Sequence, residues 1–584
     1  MIFGPVIGSI FGKAGSLTER AKHKLQVLEN GDPRTLKSIT GLYARVLGVA
    51  TRYGLVTLIA AVAVLFTTFW AYGQYGSGII YFSDGENKFA QVNLRARGNL
   101  SVDETNELLR EVETEILQVE GIAHVNAFTK LSGQPGRDGG TDRVGSVFLE
   151  LYDRADRRLD SETILEEVRK RTQNIVGVQV ELQAMDMGPP VGKDLQIELS
   201  SYNRGVLEPA AAKIANYMKT QLADIRDVDD TRALPGVEFK LEVDRAQAAI
   251  YGVDVTQVGV AVQLVTNGIK VGEYRPDRSE DAVDIRVRYP SEQRGVMALN
   301  ELQMVTPGGM VPLANFVTVV PSNNVDTLQR VNGIPIMMIL ANVAPGVLAD
   351  TKVKEIQAWV NSQDWPPELR IQFRGANEEQ AESLAFVGVA FGMSLLLMFV
   401  LLVTQFNSFY QSSLILFAVV LSTAGVLIGL LITGNPFSAI LTGVGVVALA
   451  GIVVNNNIVL IDTYNEIRDK NPDMHYVDLI VRTGAQRLRP VMLTTITTVF
   501  GLLPLASNLS IDFVNRNIEY GSMLSSFWVP LSQAIVSGLT FATLLTLVTT
   551  PAMLAIPHQL KAIYRRLRSN RASAAQQLAG DSPG

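Results

Sequence analysis

The chain has 584 residues, 47% of them hydrophobic, and a formal net charge of −6. Its apolar residues form blocks with basic residues beside them, which predicts a polytopic membrane protein with a large soluble part and disfavours nucleic acid as a partner. Because the chain has no cysteine, disulfides and thiolate metal sites are excluded. No metal-ligand spacing and no Ser/His/Asp arrangement is present, so an enzyme is disfavoured. The four histidines are scattered, at His23, His124, His475 and His558.

The chain opens on an apolar stretch, Met1 to Phe11, with the sequence MIFGPVIGSIF. This stretch is too short to cross a bilayer and too apolar for an ordinary leader. We interpret it as the last turns of a preceding transmembrane helix, and an interfacial anchor is the alternative. A basic linker follows it up to residue 53.

Six apolar blocks approach or exceed the length of about 20 residues that a helix needs to cross a bilayer. They are Gly54–Tyr72, Leu384–Val403, Leu414–Ile432, Phe437–Ile461, Val491–Ala506 and Val529–Ile556. The fifth block is short, so its helix is predicted to begin near Arg487 inside protein. Asn435 and Pro436 are predicted to form the turn before the fourth block.

Lysines and arginines near the blocks predict the orientation, because cytoplasmic loops carry an excess of these residues. They are concentrated before the first block, between the fourth and fifth blocks, and in the tail from residue 557 to 584. All three segments are therefore predicted to be cytoplasmic. The long segment from Gly73 to Ser383, here called the exterior region, then lies on the other side of the membrane.

Four stretches of the exterior region share the pattern of a strand, an amphipathic helix and a second strand, which indicates repeated βαβ units. Two such units side by side make a ferredoxin-like α+β module. The first unit includes a capping box from Ser101 to Glu104. The predicted units start at Phe89, Val147, Asp194 and Ile334, and their closing strands are Ala123–Phe128, Gly177–Leu182, Val237–Val243 and Leu369–Phe373.

Units three and four are separated by the segment from Arg232 to Val331, which we interpret as an inserted domain. This segment has strand and turn patterns of its own. Its first strand overlaps the predicted closing strand of the third unit, Val237–Val243.

Three consecutive asparagines, Asn455 to Asn457, interrupt the fourth apolar block in the sequence GIVVNNNIVLID. Side-chain amides in hydrocarbon must find partners, so such residues usually face a bundle interior and mark an ion or substrate pathway. The alternative, that the amides only join helices, remains open at this point.

The order of these parts resembles the carboxy-terminal half of a resistance-nodulation-division (RND) efflux pump permease of the hydrophobe/amphiphile efflux type. The resemblance covers nearly the whole chain. It includes NPFSAILTGVGVVALAGIVVNNNIVLID (Asn435 to Asp462), RLRPVMLTTITTVFGLLPLA (Arg487 to Ala506) and WVPLSQAIVSGLTFATLLTLVTTPAML (Trp528 to Leu554). It implies a trimeric permease in the inner membrane of a Gram-negative bacterium, driven by the proton motive force without a cofactor. A periplasmic adaptor, an outer-membrane channel and membrane lipid are the implied partners.

The implied fold is a six-span α-helical membrane protein with a large periplasmic α+β region of ferredoxin-like porter subdomains and an inserted docking subdomain. The implied division is a helix end and cytoplasmic linker at 1–53, the first span at 54–72, porter subdomain 1 at 73–188, porter subdomain 2 at 189–231 and 332–383, the docking subdomain at 232–331, a five-helix bundle at 384–556 and a cytoplasmic tail at 557–584.

In this family, two adjacent aspartates on the fourth span take up protons and are answered by polar residues on the tenth and eleventh spans. The resemblance implies that answering role for Asn455, Asn456, Arg487 and Thr494. Asn455 departs from the family, because well-known members have a lysine there. Asp462, near the predicted cytoplasmic end, is interpreted as a solvated carboxylate.

None of the six predicted spans contains adjacent aspartates near its centre. The expected proton carrier therefore lies elsewhere. The implied partner is the amino-terminal half of the pump, either as a separate chain or as an upstream segment.

The glycine-rich segment from Lys130 to Gly145 is placed by the resemblance near the family's switch loop, with Phe128, Gly133 and Gly136 as candidate substrate-cleft residues. A flexible surface loop is the alternative. Met185 and Met187 are candidates for soft-metal handling, although packing is the simpler role.

The sequence thus predicts a proton-driven exporter of hydrophobic or amphiphilic compounds. A metal-exporting RND relative and a non-transporting assembly or regulatory half-subunit are the alternatives.

Overall fold

The computed structural model describes residues 19–82, 86–96, 100–129, 143–185, 192–232, 237–275, 282–290, 293–294, 296–306, 308–323, 328–344, 346–512, 516–561 and 564. The apolar start, Met1 to Phe11, lies outside these residues. The helices that they form, α1 to α15, are Glu19–Asn30, Ile39–Arg52, Gly54–Tyr75, Val102–Ile116, Ser161–Thr172, Leu207–Thr220, Arg245–Ile250, Val255–Val265, Val296–Glu301, Ala349–Asn361, Ala376–Phe406, Phe409–Thr433, Leu441–Lys470, Tyr476–Ala506 and Met523–Leu554. The strands, β1 to β19, are Ile79–Ile80, Phe89–Ala96, Ile122–Thr129, Arg143–Leu151, Val178–Met185, Leu195–Ser200, Ile225–Asp230, Val237–Val243, Ile269–Tyr274, Val283–Val287, Gln303–Thr306, Gly309–Pro312, Val317–Asn323, Gln329–Val331, Ile334–Val343, Arg370–Arg374, Phe437–Ser438, Leu509–Asp512 and Asn517–Tyr520.

Six helices of the described chain, α3 and α11 to α15, are long and apolar enough to cross a membrane. The number agrees with the six predicted blocks. Helix α13 begins at Leu441 and not at Phe437, because β17 (Phe437–Ser438) pairs in parallel with β1 (Ile79–Ile80). The backbone N–H of Phe437 donates to the carbonyl of Gly78 over 3.0 Å.

Helix α14 begins at Tyr476, well before the predicted start near Arg487. Its first turns pack against α2, where Leu47 lies in one buried cluster with Val477 and Val481. The contact is close, since a Cβ added to Gly484 would lie 2.5 Å from Leu47 Cδ2. The first three turns are therefore supported by protein, and a search for a continuous apolar block misses them.

The core of the helical bundle is built around α12, α13 and α15. The most apolar windows of these three helices are 56%, 44% and 72% buried, against 17%, 6% and 11% for α3, α11 and α14. Small residues allow α12 and α15 to approach, because a Cβ added to Gly429 would lie 2.3 Å from Ser537 Cβ. The peripheral helices keep faces that no described residue covers.

The exterior region contains two larger antiparallel sheets, each with its own core. The first sheet has the order β3-β4-β2-β5 and packs against α4 and α5. The predicted capping box opens α4: the Ser101 N–H donates to Glu104 Oε2 over 2.7 Å, and the Glu104 N–H donates to Ser101 Oγ over 3.3 Å. The second sheet has the order β14-β15-β6-β16, with β7 also paired to β15, and packs against α6 and α10.

The predicted closing strand of the third βαβ unit is wrong. The strand that follows α6 in the second sheet is β7, Ile225–Asp230, whereas Val237–Val243 is β8 and pairs with β13. The sequence of β7, IRDVDD, lacks the alternation of apolar residues that marks a half-buried strand. Strands β8 and β13 instead belong to a third core that includes Val258, Leu313 and Phe316.

Candidate functional site

The candidate polar residues of the membrane-type helices form two contacts between the antiparallel neighbours α13 and α14. In the first, the amide rung, Thr494 Oγ1 lies 3.4 Å from Asn456 Oδ1, and its single proton is shared between that oxygen and the nearer carbonyl of Val491 on its own helix, at 2.9 Å. In the second, the arginine rung, Arg487 Nε donates to Thr463 Oγ1. The rungs are seven residues apart on both helices, so about 10 Å of helix separates them.

Two further polar residues of α13, Asn455 and Asp462, are exposed and lie seven residues apart on one face. Thr494 and Thr497 of α14 are exposed as well. In helices apolar enough to span a membrane, such amides and carboxylates need protein or water as partners. The face formed by Asn455, Asn456, Asp462, Thr463, Arg487 and Thr494, here called the polar face, is therefore a candidate surface for contact with another protein segment or with water.

The three asparagines have three different environments. Asn455 is exposed, Asn456 contacts Thr494, and Asn457 is only 2% exposed in the bundle core. Asn457 Oδ1 accepts from Thr550 Oγ1 of α15 over 3.0 Å, and its Nδ2 donates to the Val453 carbonyl over 3.0 Å. The role of joining helices, left open above, thus describes Asn457.

Replacement of Thr550 by valine should leave the buried Asn457 Oδ1 without its donor. We expect a loss of about 1 kcal/mol of stability, the size of an interhelical hydrogen bond in a membrane protein. Thermal unfolding of the purified protein in detergent measures it. Thr540→Val is the matched control, because among the described residues the exposed Thr540 hydroxyl bonds only the carbonyl of Val536 on its own helix. Equal stability of the two variants would contradict the prediction.

Sequence reasoning named Asn455, Asn456, Arg487 and Thr494 as site residues, and the asparagine triplet as a whole, but missed Thr463 and Thr550. For Thr463 a signal exists, since it follows Asn456 by the same seven residues that separate Arg487 from Thr494. The structure brings Asn456 to Thr494 and Arg487 to Thr463. Asn455 is exposed on the polar face, next in the chain to Asn456.

The candidate cleft residues are only partly described. Phe128, on β3, is 62% exposed, and Met185, at the end of β5, is 38% exposed. Gly133, Gly136 and Met187 lie outside the described residues. Within the described ranges, no group of three or more His, Cys, Asp or Glu side chains could hold a metal ion.

Salt bridges join the first and second sheets of the exterior region. The Arg169–Asp227 distance is 2.6 Å, and Asp227 Oδ2 also accepts from Asn342. Lys193, with a side chain only 6% exposed, donates to the Asp227 carbonyl and lies 2.7 Å from Glu181. These contacts explain how the charged strand β7 is held. The set, here called the cross-sheet ion pairs, is Arg95–Asp229, Arg169–Asp227, Glu166–Arg226 and Glu181–Lys193.

The chain belongs to the AcrB/AcrD/AcrF family of RND permeases, whose family model matches residues 1–558. It is 28% identical over 390 residues to the cobalt-zinc-cadmium resistance protein CzcA of Cupriavidus metallidurans, covering 65% of this chain and 35% of that protein. It is 25% identical to the swarming motility protein SwrC of Bacillus subtilis, covering 90% of this chain and 48% of that protein. It is 24% identical to the multidrug resistance protein MdtC of Edwardsiella ictaluri, covering 76% of this chain and 42% of that protein.

A crystal structure of a heavy metal efflux pump has the same fold, with a TM-score of 0.72 over 89% of this chain and 52% of that chain, at 22% identity. The chain spans about half or less of the length of these relatives. The chain is thus a member of an RND efflux permease family, and the relatives' names include both metal and multidrug resistance.

Proposed function

We propose that this chain is the carboxy-terminal half of a proton-driven RND efflux transporter in a bacterial plasma membrane, with its exterior region in the periplasm. The polar face of α13 and α14 carries this proposal. It places a fixed cation, Arg487, and the amide rung at a surface of otherwise apolar helices. Such polar groups within spans are typical of ion and proton pathways.

We expect the polar face to be covered by the amino-terminal half of the pump, whether as a separate chain or as an upstream segment. That half is expected to supply the two adjacent aspartates that take up protons. Arg487 and Thr494 are suited to answer them, since arginine remains charged while a threonine hydroxyl both donates and accepts. The complete transporter is expected to be a trimer that works with a periplasmic adaptor and an outer-membrane channel.

The proposed substrates are hydrophobic or amphiphilic compounds that enter between the porter subdomains, which we take to be ferredoxin-like modules built on the first and second sheets. The exposed Phe128 offers one apolar contact near that entry. The names of CzcA and MdtC keep metal export as the second candidate. A hydrophobic dye and cobalt ions, offered to the same reconstituted transporter, distinguish the two.

The test is to purify the native complex that contains this 63.6 kDa chain from its host membrane and reconstitute it into proteoliposomes. An imposed proton gradient should drive substrate movement, and substrate should drive proton movement in the opposite direction. A complex that assembles but moves neither protons nor substrate would contradict the proposal and favour an assembly or regulatory role.

Asn455→Lys should make coupled transport depend on a steeper proton gradient. A lysine at this exposed position of the polar face would add a positive charge beside the expected partner aspartates. That charge favours their ionised form and so opposes proton uptake. The measurement is substrate flux in proteoliposomes as a function of external pH, with Asn455→Gln as the uncharged control. An unchanged profile for the lysine variant would contradict this role of Asn455.

A further inference from the structure

We propose that Asp462 is a proton-carrying residue of this chain, one that passes protons from the polar face toward the cytoplasm. This inference rests on the proposed function. Asp462 lies two turns beyond Asn455 on the same exposed face of α13, level with the arginine rung. It is also close to the carboxy-terminal end of α13, which carries the basic residues Arg468 and Lys470 and is predicted to be cytoplasmic.

The acidic residues at this end of α13 differ in their partners. Glu466 lies 2.6 Å from Lys470, and Asp469 lies 3.2 Å from Arg468. Asp462 has no salt bridge within the part of the chain that the structure describes. A carboxylate that neutralised a neighbouring cation for stability would resemble Glu466. The side chain of Asp462 instead remains available to a proton.

Thr463, the residue next to Asp462, holds the Arg487 guanidinium through a hydrogen bond. Thr463 is 3% exposed, and its hydroxyl donates to the Val459 carbonyl over 2.8 Å. Its oxygen is thereby oriented to accept from Arg487 Nε. Among the described residues, no acceptor bonds the Nη1 and Nη2 groups of Arg487. The guanidinium is therefore held through Nε by the residue that follows Asp462 in the chain.

A carboxylate can perform a step here that the amide rung cannot. An asparagine amide donates and accepts hydrogen bonds but does not take up a proton, whereas a carboxylate binds one proton and later releases it. One proton leaves a carboxyl group of the covering half, binds to Asp462, and is released to cytoplasmic water.

The test uses the complete transporter in proteoliposomes and measures two quantities, proton flux coupled to substrate and downhill substrate movement without a proton gradient. Asp462→Asn should lower the coupled proton flux by about a hundredfold, the scale of a lost proton-transfer group. Downhill substrate movement should stay close to wild type. Asp462→Glu should restore most of the coupled flux, and Glu466→Gln, on the same helix, should leave both quantities unchanged.

Coupled flux close to wild type in Asp462→Asn would overturn the inference while leaving the proposed function intact. Equal losses in the asparagine and glutamate variants would also overturn it, because side-chain size and not proton binding would then be the cause. A wild-type transporter that moves substrate without any coupled proton flux would overturn the proposed function, and this inference with it.

Discussion

We expect replacement of Arg487 by alanine to abolish export, while the chain still inserts into the membrane and assembles. Arg487 is the permanently charged member of the polar face and is partly exposed, with Nε bonded to Thr463. Its remaining donors are therefore available to the carboxylates of a covering half, to which arginine binds through geometrically fixed hydrogen bonds. Removal of a preorganised charge of this kind typically costs about a hundredfold or more in rate.

The measurement combines substrate export from cells with the amount of assembled complex recovered from the membrane. Arg489→Ala is the matched control, because Arg489 lies on the same helix two residues away and is exposed. The control should export normally. Full export by the Arg487 variant would remove the basis for a relay at this face. Loss of the assembled complex would instead assign Arg487 to assembly.

The second large effect is expected from charge reversal in the cross-sheet ion pairs. Arg226 Nη1 lies 2.8 Å from Glu166 Oε2, with side chains 33% and 31% exposed. Arg226→Glu would set two carboxylates against each other in an interface that also holds Asp227 and Asp229. Breaking a partly buried pair in this way should cost about 1–3 kcal/mol, below the range for fully buried pairs because solvent screens these groups. We expect the two sheets to separate and export to fail.

Distances between spin labels on the two sheets report this separation directly. The natural chain has no cysteine, so Val176→Cys and Tyr202→Cys, both at exposed positions, give unique labels. Arg226→Glu should move the distance distribution to longer values. Adding Glu166→Arg restores an opposite pair and should recover part of the short distances. If the double variant recovers none of the short distances, attraction between these two charges does not hold the sheets together.

A reversal elsewhere controls for general effects of charge. Lys354 and Asp350 form an exposed pair on α10, with side chains 73% and 39% exposed. Lys354→Glu should leave both the label distances and export unchanged, because exposed pairs within one helix contribute little.

The helices of this fold can be predicted from the sequence where apolar residues form a continuous block or recur with the helical period. The six spans and the helices of the four predicted βαβ units have clear apolar blocks or stripes, and each of these predicted helices overlaps a helix of the structure. Strand β7 departs from this pattern because two of its carboxylates pair with arginines and one of its backbone carbonyls accepts from a lysine, all from other elements that no local window contains. The start of α14 escapes for the same reason, since α2 supports it from outside the window.

The candidate site illustrates a second limit on what can be predicted from the sequence. Three consecutive helical residues differ in direction by about 100° each, so Asn455, Asn456 and Asn457 must face three different surroundings. Which of them faces the core depends on how α13 is rotated against α14 and α15, and that rotation is set by the packing of the whole bundle. The sequence therefore identifies the polar triplet and the residues on α14, but not the pairs Asn456–Thr494, Arg487–Thr463 and Asn457–Thr550.

The short parallel pairing of β1 with β17 anchors the start of α13 to the segment that leaves α3 and leads into the first sheet. Two backbone bonds, from the Phe437 N–H to the Gly78 carbonyl and from the Ala439 N–H to the Ile80 carbonyl, make this a fixed joint. Helix α13 runs about 45 Å from that joint to Lys470. A rigid rod held at one end behaves as a lever, so we expect any tilt of α13 that follows proton transfer at the polar face to pivot where the chain enters the exterior region.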